Sequence, residues 1–336
     1  MKRLYSILPA LAVALMLQGC IFEYPDCPED PWKHVEVRFD TSLCPDAKPE
    51  GMAVFLFPED GSEPWRYDFT GIQGDTIDVP PGRYSLLAYN NDTYRVSIKD
   101  RNDFSLCSFT TPETGVFEAL SPLTREAIPG GPPDGTESVS RQPQDMWCGA
   151  IDSLMIMPDN SVRILGPEES TTGATSDTLK SVIPVTLREA VGDITVEISP
   201  VGNIDDINQL CAVLTGMGSE YSCSAQKPSG KPATIPFAIN RDSPTSQTLK
   251  GKLKSFGRDK RSREWVILYV WLNDGHKFYY KFEVTEMLAD APDPTDIHLK
   301  LGPIEIPESI GEDGEGGGGI DVGVDGWDFV IIDMES

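Results

Sequence analysis

Trp265-Val266-Ile267-Leu268-Tyr269-Val270-Trp271-Leu272, followed at once by Asn273-Asp274-Gly275 and then by His276-Lys277-Phe278-Tyr279-Tyr280-Lys281-Phe282-Glu283-Val284, decides the fold of this chain. Eight successive apolar residues, most of them β-branched or aromatic, suit the central strand of a sheet. Asn-Asp-Gly is a strong hairpin signal, because it supplies the positive backbone angles that a tight turn between twisted strands requires. A buried strand, a turn and a second strand therefore set the class as β.

The same signals recur on both sides of this stretch. Val35, Val37 and Phe39 alternate with Glu36 and Arg38, the period of a strand with one buried face. Met52 to Phe57 is apolar throughout and stops at Pro58, with Glu59-Asp60-Gly61-Ser62 as a turn. Trp65, Tyr67 and Phe69 alternate on another strand, and Pro81-Gly82 turns the chain into an apolar strand that the cluster Asn90-Asn91-Asp92 closes. Further strands are expected at 94–98, 104–109, 115–119 and 147–157. In the second half they are expected at 180–188 and 193–201, as a pair around Glu189-Ala190-Val191-Gly192, and at 233–239, 248–256 and 297–301. Helical spacing occurs once, where Ile204, Ile207, Leu210, Cys211 and Leu214 recur behind Asp205-Asp206 and predict one short helix; Thr285 caps a helical turn through Met287 and Leu288. Pro129 to Gly135 is a loop, and the polar stretch from Pro158 to Asp177 is where the chain divides. The expectation is an all-β chain of two tandem β-sandwiches with one short helix, the first at 33–160 and the second at 178–306.

The ends carry different information. Met1-Lys2-Arg3 leads into an apolar run from Ile7 to Leu17. That run is shorter than the roughly 20 residues a spanning helix needs, so 1–19 reads as a signal peptide. Leu17-Gln18-Gly19-Cys20 closes it as a lipobox, with the small Gly19 fitting a peptidase and the Cys20 thiol accepting diacylglycerol. Cleavage between Gly19 and Cys20 then leaves a diacylglycerol and an N-acyl lipid on Cys20; the alternative is an ordinary secretory signal. Pro25, Pro28 and Pro31 recur every third residue in 20–32, which suits an extended spacer. At the other end, 307–319 is a Gly-rich acidic linker and 320–336 a strand. Ile320, Val322 and Val324 alternate there, and Trp327, Phe329 and Ile331 continue after a shift at Gly326. The nine residues from Gly311 to Gly319 span roughly 17 Å as a coil, which lets that strand return to its own domain or reach a neighbour.

Composition narrows the partners. Lys and Arg total 28 against 53 Asp and Glu, a formal net charge of −25, which repels nucleic acid and anionic headgroups and favours proteins or neutral glycans. Besides Cys20 there are Cys27, Cys44, Cys107, Cys148, Cys211 and Cys223. Six suit disulfides between neighbours in an exported chain, or buried free thiols, and no C-x-x-C pair suggests zinc.

Catalytic signals are missing. His34, His276 and His298 lie far apart, and no nucleophile elbow, H-E-x-x-H or P-loop occurs, so no enzymatic activity, metal or cofactor beyond the lipid is expected. Asp205-Asp206, and Asp293 with Asp296, read as solvated surface rather than a calcium site. The rival to a structural role is glycan binding, with Trp65, Trp147, Trp265 and Trp271 as stacking platforms, although alternation points most of them inward.

Several of these features together resemble one family. They are the lipobox, two successive β domains, Leu86-Leu87-Ala88-Tyr89-Asn90-Asn91-Asp92, the Leu214-Thr215-Gly216-Met217 turn, a strand ending in Ser255-Phe256-Gly257, Asp274-Gly275 before Tyr279-Tyr280, and a glycine linker before Trp327. The chain is similar to the FimB-like fimbrillin-anchor lipoproteins of Bacteroidetes, or to a close sister family of uncharacterised lipoproteins. That resemblance implies transthyretin-like sandwiches, lipid attachment at the outer membrane and a part in pilus biogenesis. It also implies assembly by strand addition to other fimbrial or surface subunits, with 320–332 as donor strand. Whether such a protein faces the cell surface or the periplasm is left open.

Overall fold

The computed structural model describes residues 31–114, 137–166, 178–258, 260, 262–308 and 328–331, with backbone alone at 178–180 and 328–331. The signal peptide, the lipobox, nearly all of the Pro-rich spacer, the expected strand at 115–119 and most of the linker and tail lie outside the described residues.

The first sandwich begins with β1 (Lys33–Asp40), β2 (Gly51–Pro58), β3 (Trp65–Thr70), β4 (Asp75–Val79) and β5 (Gly82–Asn90). The chain then makes an excursion through β6 (Ser97–Lys99), β7 (Ser108–Thr110) and β8 (Ser138–Val139). It returns as β9 (Trp147–Ile156), β10 (Ser161–Ile164), β11 (Thr178–Lys180), β12 (Val182–Thr186) and β13 (Arg188–Glu189). One sheet has the order β12-β1-β4; the other runs β11-β10-β9-β5-β2-β3, with β13 also on β9. The alternation in β1 turns Val35, Val37 and Phe39 inward against Met52, Val54 and Leu56 of β2. Fully burying such a side chain contributes about 1.5–3 kcal/mol.

The second sandwich holds β14 (Gly192–Ile198), β15 (Val201–Gly202), β16 (Ile207–Ser222), β17 (Lys227–Phe237), β18 (Ile239–Arg241), β19 (Leu249–Ser255), β20 (Trp265–Leu272) and β21 (Lys277–Glu283). A five-residue helix α1 (Thr285–Ala289) follows, then β22 (Asp296–Leu301), β23 (Ile304–Glu305) and β24 (Asp328–Ile331). The smaller sheet has the order β18-β19-β14-β22, the larger β24-β21-β20-β16-β17-β8. Val266, Leu268, Val270 and Leu272 of β20 point into the core between them. Ile267 and Tyr269 are buried on the opposite face, which accounts for a run with no polar residue in it. The chain is thus all-β, in sandwiches as expected. Among the described residues no helix is long and apolar enough to cross a membrane.

Three expectations are corrected. The helix expected at 204–214 is a 3-10 turn at Ile204–Asp206, followed by the 16-residue strand β16. A β-bulge between Ile207 and Gln209 breaks the alternation at the start of β16, and burial on both faces from Cys211 to Gly218 removes it further on, so the apolar spacing imitates a helix. The short helix is α1 instead, and Thr285 opens it without a side-chain cap: its hydroxyl accepts from the Glu264 backbone N–H at 3.0 Å. The strands around Glu189 to Gly192 do not pair with each other. β12 pairs with β1 and β13 with β9, whereas β14 pairs with β19 and β22. Residues 178–189 therefore complete the first sandwich, and the chain crosses at Ala190–Val191 rather than before 178.

Candidate functional site

Two regions bear on function: the β21–β24 edge of the large second sheet and the junction between the sandwiches.

The edge is built by the hairpin of β20 and β21. Phe278, Tyr280 and Phe282 alternate inward on β21 and join the core. Tyr280 is fully buried, its hydroxyl donates to the Glu305 carbonyl at 3.0 Å, and burial pushes its pKa above the ordinary tyrosine value. On the outer face Tyr279 packs beside Tyr269, ring centroids 6.3 Å apart, and the Lys281 ammonium stands 4.2 Å from the centroid of the Trp265 ring. Burial there lowers the Lys281 pKa, while Glu137 and Glu283 pull the other way. This is a cation–π contact in partly dry surroundings.

β24 lies along β21 in parallel, with Phe278 opposite Asp328, Tyr279 opposite Phe329, Tyr280 opposite Val330 and Lys281 opposite Ile331. Among the described residues it is the terminal strand of its sheet. A parallel partner requires a connection of a dozen or more residues, and the chain between Glu283 and Asp328 supplies it. Of the residues expected to form a donor strand, Phe329 and Ile331 fall in β24; Ile320, Val322, Val324 and Trp327 lie outside the described residues, as do Gly19 and Cys20.

A polar network holds the same sheet from beneath. β16 carries a bulge between Leu214 and Met217, where the sequence predicts a turn, and Gly216 has a φ of 76° there. Its N–H donates to a Glu137 carboxylate oxygen at 3.1 Å, and the Thr234 hydroxyl donates to the same oxygen at 2.8 Å. Burial raises the Glu137 pKa against these bonds. Glu264 is fully buried and accepts from Arg258 Nε at 2.7 Å and Nη2 at 3.2 Å.

The junction is apolar. β6 pairs with β7, and β7 pairs with β16, so the excursion from the first sandwich is built into the sheet of the second. Ala53, Phe55 and Phe57 of β2, the opposite face from Met52, Val54 and Leu56, cluster with Leu87, Tyr89, Phe109, Tyr221 and Phe256. Aromatic rings run in contact from Phe104 through Phe57, Phe55, Tyr89, Phe109 and Tyr221 to Phe256, with successive centroids 5.5–6.4 Å apart. The uninterrupted apolar runs of β2 and β5 are the sequence signal of this second buried face. Beside it, Asn90 is buried and fully bonded: its amide nitrogen donates to Asp92 at 2.7 Å and to the Asp145 carbonyl at 3.1 Å, and its oxygen accepts the Trp147 N–H at 2.8 Å. That is the work of the Asn-Asn-Asp cluster.

The remaining expected sites stay apart. His34, His276 and His298 are each exposed beside a separate aspartate, respectively Asp78, Asp274 and Asp296. Among the described residues no group of three metal-ligating side chains comes together. Trp32 and Trp65 are exposed but meet at 90°, so they form no flat stacking platform. Among the described residues Cys44, Cys107, Cys148, Cys211 and Cys223 are all buried, and none is bonded to its neighbour in sequence.

Comparison with known proteins agrees with this architecture. A family model described as "Domain of unknown function (DUF5119)" matches residues 22–238. A relative from Bacteroides ovatus, named "Putative fimbrium anchoring subunit Fim4B", is 28% identical over 159 residues, 47% of this chain and 43% of its own length. The chain thus spans less than half of that relative. A crystal structure of a "putative adhesin" from Bacteroides ovatus superposes with a TM-score of 0.58 at 18% identity, covering 83% of this chain and 95% of that one. A second such structure from the same species gives a TM-score of 0.50 at 12% identity, covering 84% and 91%. These likenesses show the fold, and together with the family match they bear out the kinship expected from the sequence.

Proposed function

This chain belongs to the family described as Domain of unknown function (DUF5119), and from that premise we propose that it is a structural component of a fimbria, an anchor-like subunit joined to the next subunit by strand addition. One observation carries the reading. Among the described residues β24 is an outermost strand, joined to its sheet along one side only, and the sequence before it is Gly-rich. A strand held that way is the element a fibre-forming protein exchanges or extends. The name of the Bacteroides ovatus relative and the rigid apolar junction, suited to bearing tension, support it. In this reading Cys20 carries the lipid that holds the chain at the outer membrane, and the excess of negative charge keeps the body clear of anionic headgroups.

The test is deletion of residues 320–336. Cells carrying the shortened protein are expected to shed or mislay fimbriae while the purified protein keeps both sandwiches folded by circular dichroism. Fimbriae attached at normal number and length would overturn strand addition. Replacement of Cys20 by alanine, read by incorporation of labelled palmitate, tests the lipid separately.

A further inference from the structure

We propose that Cys107 and Cys223 form a disulfide that fastens the first sandwich's excursion to the central strand of the second. The ladder between β7 and β16 places Thr110 opposite Glu220, Phe109 opposite Tyr221 and Ser108 opposite Ser222. One step further in the same antiparallel register stands Cys107 opposite Cys223. The Cys223 N–H donates to the Cys107 carbonyl at 2.9 Å, so the ladder continues through the pair. Directly opposed residues in such a ladder have Cα atoms roughly 4.5–5.5 Å apart, inside the range a disulfide spans. Their sulfurs are 3.1 Å apart, and both residues are buried, at 1% and 0% exposure. Two thiols this close, sealed in an apolar core, make at best one weak hydrogen bond. A covalent bond between them removes two polar hydrogens from that core.

A third cysteine shares the cluster. Cys148 lies in the same core, but it is on β9, outside the ladder that aligns the other two. The bond therefore joins residues 107 and 223, far apart in sequence, rather than the neighbours 107 with 148 or 211 with 223. Contact with the Cys107 sulfur, together with burial, raises the pKa of Cys223, and both residues are sealed from solvent in the folded chain, so the bond closes while the chain folds. The chemistry balances by exchange with a small-molecule or protein disulfide. The Cys107 thiolate attacks one sulfur of that disulfide and expels the other as a thiolate. The Cys223 thiolate then attacks the Cys107 sulfur and expels the second. Two thiols are oxidised, one disulfide is reduced, and two protons leave to solvent or to the departing thiolates.

The bond crosses the junction. Cys107 belongs to the connection between β5 and β9 of the first sandwich, and Cys223 follows β16 of the second. Pulling the sandwiches apart would load this link as well as the peptide crossing at Ala190–Val191.

The experiment refolds the full chain with oxidised and reduced glutathione. Free thiols are alkylated in denaturant with a light reagent, then the protein is reduced and alkylated with a heavy one, and peptides are mapped. Cys107 and Cys223 are expected to carry the heavy label and to appear as one linked peptide pair before reduction, with Cys44, Cys148 and Cys211 light. As a second readout, reductant is expected to lower the melting temperature of the wild type and leave that of the Cys107→Ser, Cys223→Ser double variant unmoved. Light label on both residues in the folded wild type, or linkage of either to Cys148, overturns the proposal.

Discussion

Phe109 of β7 stacks on Tyr221 of β16, ring centroids 6.4 Å apart and planes 24° from parallel, so a strand from the first half of the chain is packed into the sheet of the second. Each ring also touches a further aromatic, Tyr89 on one side and Phe256 on the other. The junction thus resembles a core more than a linker between domains. The two sandwiches are expected to melt in one calorimetric transition. Tyr221→Ala removes a side chain that is 4% exposed and is expected to cost about 3–5 kcal/mol, in line with emptying an aromatic site in a core. Two separate transitions in the wild type would show that the junction does not couple them.

Arg258 and Glu264 are the clearest case of a buried charge pair. Glu264 is fully buried and Arg258 partly so, with side-chain exposures of 0% and 16%. Removing one partner leaves the other uncompensated, which costs roughly 3–5 kcal/mol, whereas replacing both by apolar groups of similar volume is often close to neutral. Urea denaturation is expected to find Arg258→Met strongly destabilising and Arg258→Met with Glu264→Leu much less so. Equal losses in the single and double variants would mean that the pair does not act as a unit.

Much of this was legible in the residues, and what was not has a physical reason. Trp265 to Leu272, the Asn273-Asp274-Gly275 turn and Val35 to Phe39 fall on strands and turns as expected, because local pattern and final burial agree there. Ile204 to Leu214 misled because a bulge and two-sided burial erased the period of 2 that marks a strand. The polar, Gly- and Ser-rich composition of 158–177 suggests a division there, but that stretch contains β10, and membership of β11, β12 and β13 in the first sandwich depends on long-range pairing with β10, β1 and β9. Pairing of that kind leaves no local signature. For the edge, the alternation of Phe329 and Ile331 predicted a strand, but only the register against β21 says which strand it joins.

Asp193 predicts a pH dependence. Burial pushes its carboxyl up, but hydrogen bonds from Lys252 and Lys254, together with their charges, outweigh that and hold it below the ordinary aspartate value of 3.8. Lys254 also pairs with Asp145, so this cluster links the two sandwiches across a cleft of about 610 Å3. A depressed folded pKa contributes stability that is fully present above the unfolded value and is lost as pH falls through the folded one. The wild type is therefore expected to exceed Asp193→Asn by a constant margin between pH 5 and 7. That margin should shrink below about pH 4. A margin that held at pH 2 would show that Asp193 acts through packing alone.

Gly216 and Gly275 offer a paired test of the bulge in β16. Both have positive φ, 76° and 90°, so alanine at either position meets the same backbone penalty, roughly 1–2 kcal/mol. Their surroundings differ. A Cβ on Gly275 meets nothing within 4 Å, because the hairpin turn stands in solvent, whereas on Gly216 it would lie 2.8 Å from the Arg263 carbonyl oxygen and 3.0 Å from Glu264 Cγ. Relieving that contact means shifting the backbone beside the buried Glu264 or breaking the Gly216 N–H bond to Glu137. Overpacking of this sort costs about 1–3 kcal/mol beyond the backbone term. Gly216→Ala is accordingly expected to lose that much more stability in urea than Gly275→Ala, and to shift Trp265 fluorescence, since the Trp265 backbone N–H donates to the Thr215 hydroxyl at the bulge and a shift there displaces the residue. Equal losses at the two glycines would mean that the bulge yields freely, and the edge it supports would then be far softer than its hydrogen bonds indicate.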